Sequence, residues 1–349
     1  MAENKPGGRQ KAGKKPLSPR VLIRLFSILL VMVAIGSMSL GRADIPMVKV
    51  IKILLSSFLP IDQDWTMTAY SVVMDVRLPR IAAGILVGAA LSASGAAFQG
   101  VFQNPLVSPH ILGVASGAGF GAALAILLWD NLVIIHLVSF LSGLIAVGMT
   151  YALSRVYKMT PILMLVLSGI VVGALFSALT SFLKYIADPM NKMPAIVFWL
   201  LGSLNHVSLN NLALTAPVFI VCLGLLFLVR WRINLLAMGE EDAKSLGVNT
   251  EGLKALIIVC ATTATACAVC ISGIIGWIGI MIPHIGRLLV GPDHKYLLPI
   301  SMVIGAAYLT LVDTIARTAL ATEIPIGILT AIFGAPVFAL LLRTSQAGK

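Results

Sequence analysis

Gly8-Arg9-Gln10-Lys11-Ala12-Gly13-Lys14-Lys15 comes within one residue of a phosphate-binding loop. In such a loop backbone N–H groups cradle phosphates, a lysine reaches them, and the next Ser or Thr holds magnesium. Lys15 stands in the hydroxyl position and no strand precedes the glycines, so no nucleotide site is expected. Cys267-Ala-Val-Cys270 has the spacing of a redox pair, yet no strand surrounds it. Like Cys222 and Cys260, these two lie in apolar runs and read as small buried helix residues. Ser116 would need a base within hydrogen-bond reach to act as a nucleophile. Of His110, His136, His206, His284 and His294, only His136 is expected deep in an apolar layer, and nothing places it beside Ser116. There is no HExxH pair and no pair of carboxylates within an apolar run. Catalytic residues, metal ligands and cofactors are therefore not expected, and the chain does not read as an enzyme.

The remaining charges gather at the ends of apolar runs. Arg77, Arg80 and Arg317 form one such group, and Asp313 with Arg317 has the four-residue spacing of a helix-end pair. Carriers driven by protons or sodium keep ionisable groups at mid-membrane. Their scarcity here places the energy source outside the apolar part of the chain.

The elements that position these residues are set by composition. Apolar residues are 58% of 349 and charged ones 11%, where a soluble domain carries about a quarter charged. The excess has nowhere to go in water, so lipid must be the solvent. Runs long enough to span fall at 21–40, 81–99, 111–128, 132–153, 162–183, 212–228, 255–271, 296–313 and 326–342, with a shorter Gly-rich one at 274–285. The reading is an all-α integral membrane protein of about ten transmembrane helices. The stretch 48–59, carrying Lys49 and Lys52, is too short to span and reads as an interfacial helix. The run at 21–40 lacks a small-x-small cleavage site and reads as a retained helix.

The net charge of +11 is not a nucleic-acid footprint, because seven of the 25 Lys and Arg lie within the first 24 residues and no basic stripe with interleaved aromatics follows. Residues 1–20 read as a disordered basic cytosolic tail, 21–343 as one transmembrane domain, and 344–349 as a second cytosolic tail. Placing both termini inside leaves eight basic residues outside (Arg42, Lys49, Lys52, Arg77, Arg80, Lys184, Lys192, Arg317) and the other 17 inside, as the positive-inside rule requires. Small residues four apart, Gly84 with Gly88 and Gly113 with Gly117 and Gly121, suit tight helix crossings.

Three stretches, in order, resemble the FecCD/BtuC-like family of ABC importer permeases, which serve iron–siderophore, haem and vitamin B12 uptake. The first runs from Arg77-Leu78-Pro79-Arg80 through Phe98-Gln99-Gly100 and Asn104-Pro105-Leu106 to Ser116-Gly117-Ala118. The second is Gly239-Glu240-Glu241 with Ala243, Leu246 and Gly247. The third runs from Gly273 through Pro283-His284, Gly291-Pro292-Asp293-His294, Asp313 to Arg317 and Glu323-Ile324-Pro325 to Gly334-Ala335-Pro336-Val337-Phe338.

The resemblance implies a ten-helix subunit of a homodimer with the pathway on its axis, in an inner or plasma membrane. It also implies two cytosolic ABC ATPase subunits and a periplasmic or lipid-anchored substrate-binding protein. Residues 234–250 would hold two short helices bent at glycine, with Met238, Gly239, Glu240 and Glu241 touching the ATPase; a plain loop is the alternative. Arg77, Arg80 and Arg317 match arginines that pair with glutamates of the binding protein, although snorkelling to headgroups explains them too. Asn104 and Leu106 match the family's cytosolic gate, and equally suit a turn. The other gate segment corresponds loosely to Pro161-Ile162-Leu163 and lacks the polar residues of the vitamin B12 members. An iron chelate, siderophore or haem, is the expected cargo, with vitamin B12 or an oxyanion such as molybdate as alternatives. A secondary carrier that needs no ATPase is the rival class.

Overall fold

The computed structural model describes residues 17–57, 59–129, 131–155 and 161–347. The near-phosphate loop, most of the basic tail, Lys158 and Lys349 lie outside them. Among the described residues every regular element is helical: α1 (Pro19–Ser39), α2 (Met47–Ser56), α3 (Met67–Ser71), a π-helical turn (Val72–Arg77), α4 (Leu78–Val101), α5 (Val114–Leu128), α6 (Leu132–Ser154), α7 (Ile162–Ile186), α8 (Lys192–Leu200), α9 (Leu209–Met238), α10 (Glu240–Ser245), α11 (Thr250–Ser272), α12 (Ile278–Val290), α13 (His294–Thr318) and α14 (Ile326–Ala347). Seven helical stretches are long and apolar enough to cross a membrane, and α5, α12 and α14 are shorter apolar helices. Together they account for the ten spans read from the sequence.

Several boundaries differ. α3, the π turn and α4 run on as one 35-residue helix, Met67–Val101, so Arg77 and Arg80 sit within a helix and not at a frayed end. α9 extends ten residues past the apolar run 212–228, because Arg230, Arg232 and Asn234 are good enough helix formers once packing supports them. Two residues of the 1–20 tail already belong to α1, and α14 continues through residue 347. The stretch 48–59 is helical as α2 but stops at Ser56, with Val50 and Ile53 buried against Met38 and Val73. α8 was not foreseen.

Burial sorts the bundle into a centre and a rim. In their most apolar windows the α3–α4 helix is 83% buried and α11 78%, against 11% for α1 and 22% for α6. α4 can be central because it is built of small residues. A Cβ on Gly88 would stand 2.3 Å from Gly305 O, and one on Gly95 1.9 Å from Gly279 O, so α4 touches α13 and α12 backbone to backbone. This is the close crossing that small residues permit where apolar burial supplies no drive between helices. α4 leaves this centre at both ends with its polar residues, which is where chemistry is available.

Candidate functional site

At one end of the bundle the three predicted arginines come together, but inside the fold. Arg77 donates through Nη1 to Met38 O (2.6 Å) and Ser39 O (3.1 Å) and through Nη2 to Ala43 O (2.5 Å), closing the end of α1. Arg80 grips two carboxylates. Its Nε donates to Asp313 Oδ1 (2.8 Å) and Oδ2 (3.0 Å), while Nη1 and Nη2 donate to Glu323 Oε1 and Oε2 at 3.0 Å each. Arg317 donates to Ser37 O, and its Nε stands 3.8 Å from Asp313 Oδ2. The Asp313–Arg317 spacing read from the sequence is thus the weaker contact of Asp313, and its main partner lies 233 positions away. Gly41 rests against the guanidiniums of both Arg77 and Arg317. Five charged side chains, with Ser37 Oγ and Thr314 Oγ1 2.6 Å apart beside them, lock α1, α4, α13 and the 319–325 loop.

Beside this lock lies a cavity of about 590 Å³ whose lining includes Asn131, His136, Asn205, His206 and Glu323. His136 therefore faces this cavity; the Ser116 hydroxyl meets Ser177 Oγ (3.4 Å). The four cysteines are buried and free, Cys267 and Cys270 one turn apart on α11.

The opposite end carries the other two predicted sets. α9 ends at Met238, Gly239 turns the chain at φ 132, where only a residue without Cβ is unstrained, and α10 follows. Residues 234–250 thus hold one short helix after a glycine, not two, since 234–238 belong to α9. Ala243 anchors α10 inward, while Met238 and Leu246 are more than 60% exposed and Glu241 is exposed. Glu240 turns back: its Oε1 pairs with Lys244 (2.9 Å) and Oε2 with the buried Lys254 (3.0 Å). Partial burial pushes its carboxyl upward, but the two ammonium groups outweigh this and hold it below the usual carboxylate range.

Asn104 and Leu106 lie in the turn after α4. Asn104 Oδ1 accepts from Leu106 N–H (2.9 Å), fixing an Asx turn that presents Leu106 to the outside. Gln99, one turn earlier, braces the loop. Its Nε2 donates to Val107 O (3.2 Å) and Gly279 O (3.1 Å), and its Oε1 accepts from Arg287 (2.6 Å). A cavity of about 580 Å³ opens here, lined among others by Gln99, Gln103, Asn104, Met238, Arg287 and His294. The Asn104-Pro105 turn and Met238, the last residue of α9, thus face one space.

Residues 28–344 match the FecCD transport family. The chain belongs to that family. It is 41% identical over 330 residues to the molybdate import system permease protein MolB of Haemophilus influenzae, covering 95% of this chain and 97% of that one. It is 43% identical over 280 residues to the cobalamin import system permease protein BtuC of Halobacterium salinarum, covering 80% and 75%. A solved metal-chelate type ABC transporter in an inward-facing conformation superposes with a TM-score of 0.83 at 40% identity, over 93% of this chain and 99% of that one. This FecCD-family chain is a multi-pass membrane protein and a permease subunit of an ABC importer. Sequence reasoning did not assign a role to Glu323, Lys254 or Gln103. Glu323 was visible as a lone acid at the start of an apolar run, near the three arginines' side; the other two gave no signal without the folded contacts.

Proposed function

We propose that this permease is half of a homodimeric pathway that imports a metal chelate, opened and closed by two separate ATPase subunits on the α10 side, where both termini lie. The observation that carries the coupling is α10 itself. Gly239 lets a short acidic helix turn off the end of α9 with Met238, Glu241 and Leu246 exposed. Methionine is among the residues enriched at interface cores, with polar side chains at the rim around it. Met238, Gly239 and Glu241 make the contact; Glu240 holds α10 in place through Lys244 and Lys254.

The arginine end receives the substrate-binding protein. Because Arg77, Arg80 and Arg317 give their donors to internal acceptors, their part is to fix the shape of that face, with the part-exposed Glu323 at its edge. Asn104 and Leu106 form the inner gate. A metal chelate is favoured by the 40%-identical neighbour of that type. Molybdate is a second reading, favoured by a relative that matches nearly end to end.

The test is uptake into proteoliposomes, with and without the cognate ATPase and binding protein, of a ferric chelate, cobalamin and molybdate. Uptake that needs both partners and ATP is expected. Concentrative uptake by the permease alone would overturn the reading in favour of a secondary carrier.

A further inference from the structure

α4 ends in a Schellman closure. Asn104 N–H donates to Gln99 O (3.2 Å) and Gln103 N–H to Gly100 O (3.4 Å). The residue at the left-handed position of this closure, with φ 50, is Gln103. Glycine suits that backbone because it has no Cβ to meet a carbonyl, and asparagine because its short amide can hydrogen-bond locally. The chain thus places a long side chain where the backbone alone favours none.

Its amide accounts for the choice. Gln103 Nε2 donates to Leu236 O (2.9 Å). Leu236 lies in the last turn of α9, where carbonyls have no donor four residues on within the helix, and it stands two residues before Met238. Its carbonyl also accepts from Gly239 N–H (3.3 Å), so Gln103 supplies a second, shorter bond that ties the end of α9 to the loop after α4. The junction is tight. A Cβ on Gly100 would stand 2.4 Å from Ile233 Cγ2, and the His294 ring bridges Asn234 Oδ1 (3.0 Å) and Ala96 O (3.3 Å).

We propose that Gln103 is the positioning residue that carries the displacement of α10 to the gate. When α10 moves, the last turn of α9 moves with it and Leu236 O draws Gln103. Asn104 is next in the chain, and through its bond to Leu106 N–H the gate turn follows as a unit. This rests on α10 being the ATPase contact proposed above.

Gln103→Gly and Gln103→Asn both suit a left-handed residue and both remove the tie, the second because its amide is one methylene short. Gln103→Lys keeps a donor with the reach to Leu236 O. In the full complex with ATPase and binding protein, the readout is cargo imported per ATP hydrolysed, beside complex yield and melting temperature. The Gly and Asn variants are expected to lower that ratio by about 2- to 10-fold, the range one net hydrogen bond spans, at unchanged yield and melting temperature. Gln103→Lys is expected near the parent ratio. A parental ratio in the Gly and Asn variants, or a fall that tracks lost yield or melting temperature, overturns the proposal. Glu241→Lys, on α10, separates the two readings. If it leaves ATP-driven uptake intact, the α10 contact itself fails. If it abolishes uptake while Gln103→Gly transports at the parental ratio, the role of Gln103 alone falls.

Discussion

Arg80→Met should destabilise the fold far more than Glu323→Gln, although each breaks the same Arg80–Glu323 pair. The Arg80 and Asp313 side chains are 6% and 2% exposed, whereas Glu323 is 31% exposed. Without Arg80, the Asp313 carboxylate stays buried and faces Arg317 Nε at 3.8 Å. Removing one member of a buried pair costs about 3–5 kcal/mol, mostly for the charge left behind. Glu323→Gln leaves the Arg80–Asp313 bonds in place and weakens a partly wet pair, worth about 0.5–1 kcal/mol. Combining Arg80→Met with Asp313→Leu removes the buried pair and should recover part of the loss, since an apolar pair of similar volume is often neutral or better, while the buried Arg317 keeps only its bond to Ser37 O. Reversible unfolding of the purified permease in mixed micelles, read as a double-mutant cycle, gives the coupling energy. Equal losses for Arg80→Met and Glu323→Gln, or a double variant as unstable as the sum of its singles, would refute the account.

The Glu240 carboxyl is held low, so its contribution to anchoring α10 is fully present above the ordinary carboxylate range and is lost as pH falls through its depressed value. Protection of the 240–245 amides, taken relative to their intrinsic exchange rates at each pH, should therefore fall only in acid, and in Glu240→Gln it should already be low at neutral pH and show no such acid step. Gly88→Ala should destabilise by about 1–3 kcal/mol, because its Cβ would meet Gly305 O and Ala306 Cα, backbone atoms that cannot swing away; thermal melting in detergent checks it. Cys222, Cys260, Cys267 and Cys270 should resist a maleimide in the folded protein and all label after denaturation. Labelling of the native protein at one equivalent or more would contradict their burial.

The membrane class, the ten apolar helices and the family were legible because each rests on local composition or on ordered motifs. Helix ends were not. The apolar run ends at 228 in the sequence and the resemblance implies two short helices over 234–250, yet 229–238 continue α9, where Ile233 and Leu236 pack against the core. The arginines show the same limit on the scale of a site. Their types and clustering at span ends could be read, but position along a run does not tell which way a guanidinium turns. Arg80 meets Asp313 and Glu323 only after more than 230 residues of intervening chain are folded back. Gln103 was invisible for a related reason, since its backbone angle and its acceptor both belong to the tertiary structure. The Asx turn of Asn104 was the most local of the site features and was anticipated as a turn.

The span between Arg80 and Asp313 also bears on how the protein is made. Arg77 emerges from the ribosome after its acceptors Met38, Ser39 and Ala43, so it can be satisfied as soon as α1 and α4 meet. Arg80 cannot. At synthesis rates of about 5–20 residues per second, roughly 10–50 s pass before Asp313 exists. For that time a cation sits near the end of the helix that becomes the centre of the bundle, with no carboxylate to receive it. The half-made permease must keep Arg80 at the headgroup layer or shielded by the insertion machinery until α13 arrives. A chain truncated before residue 313 would retain that unpaired charge.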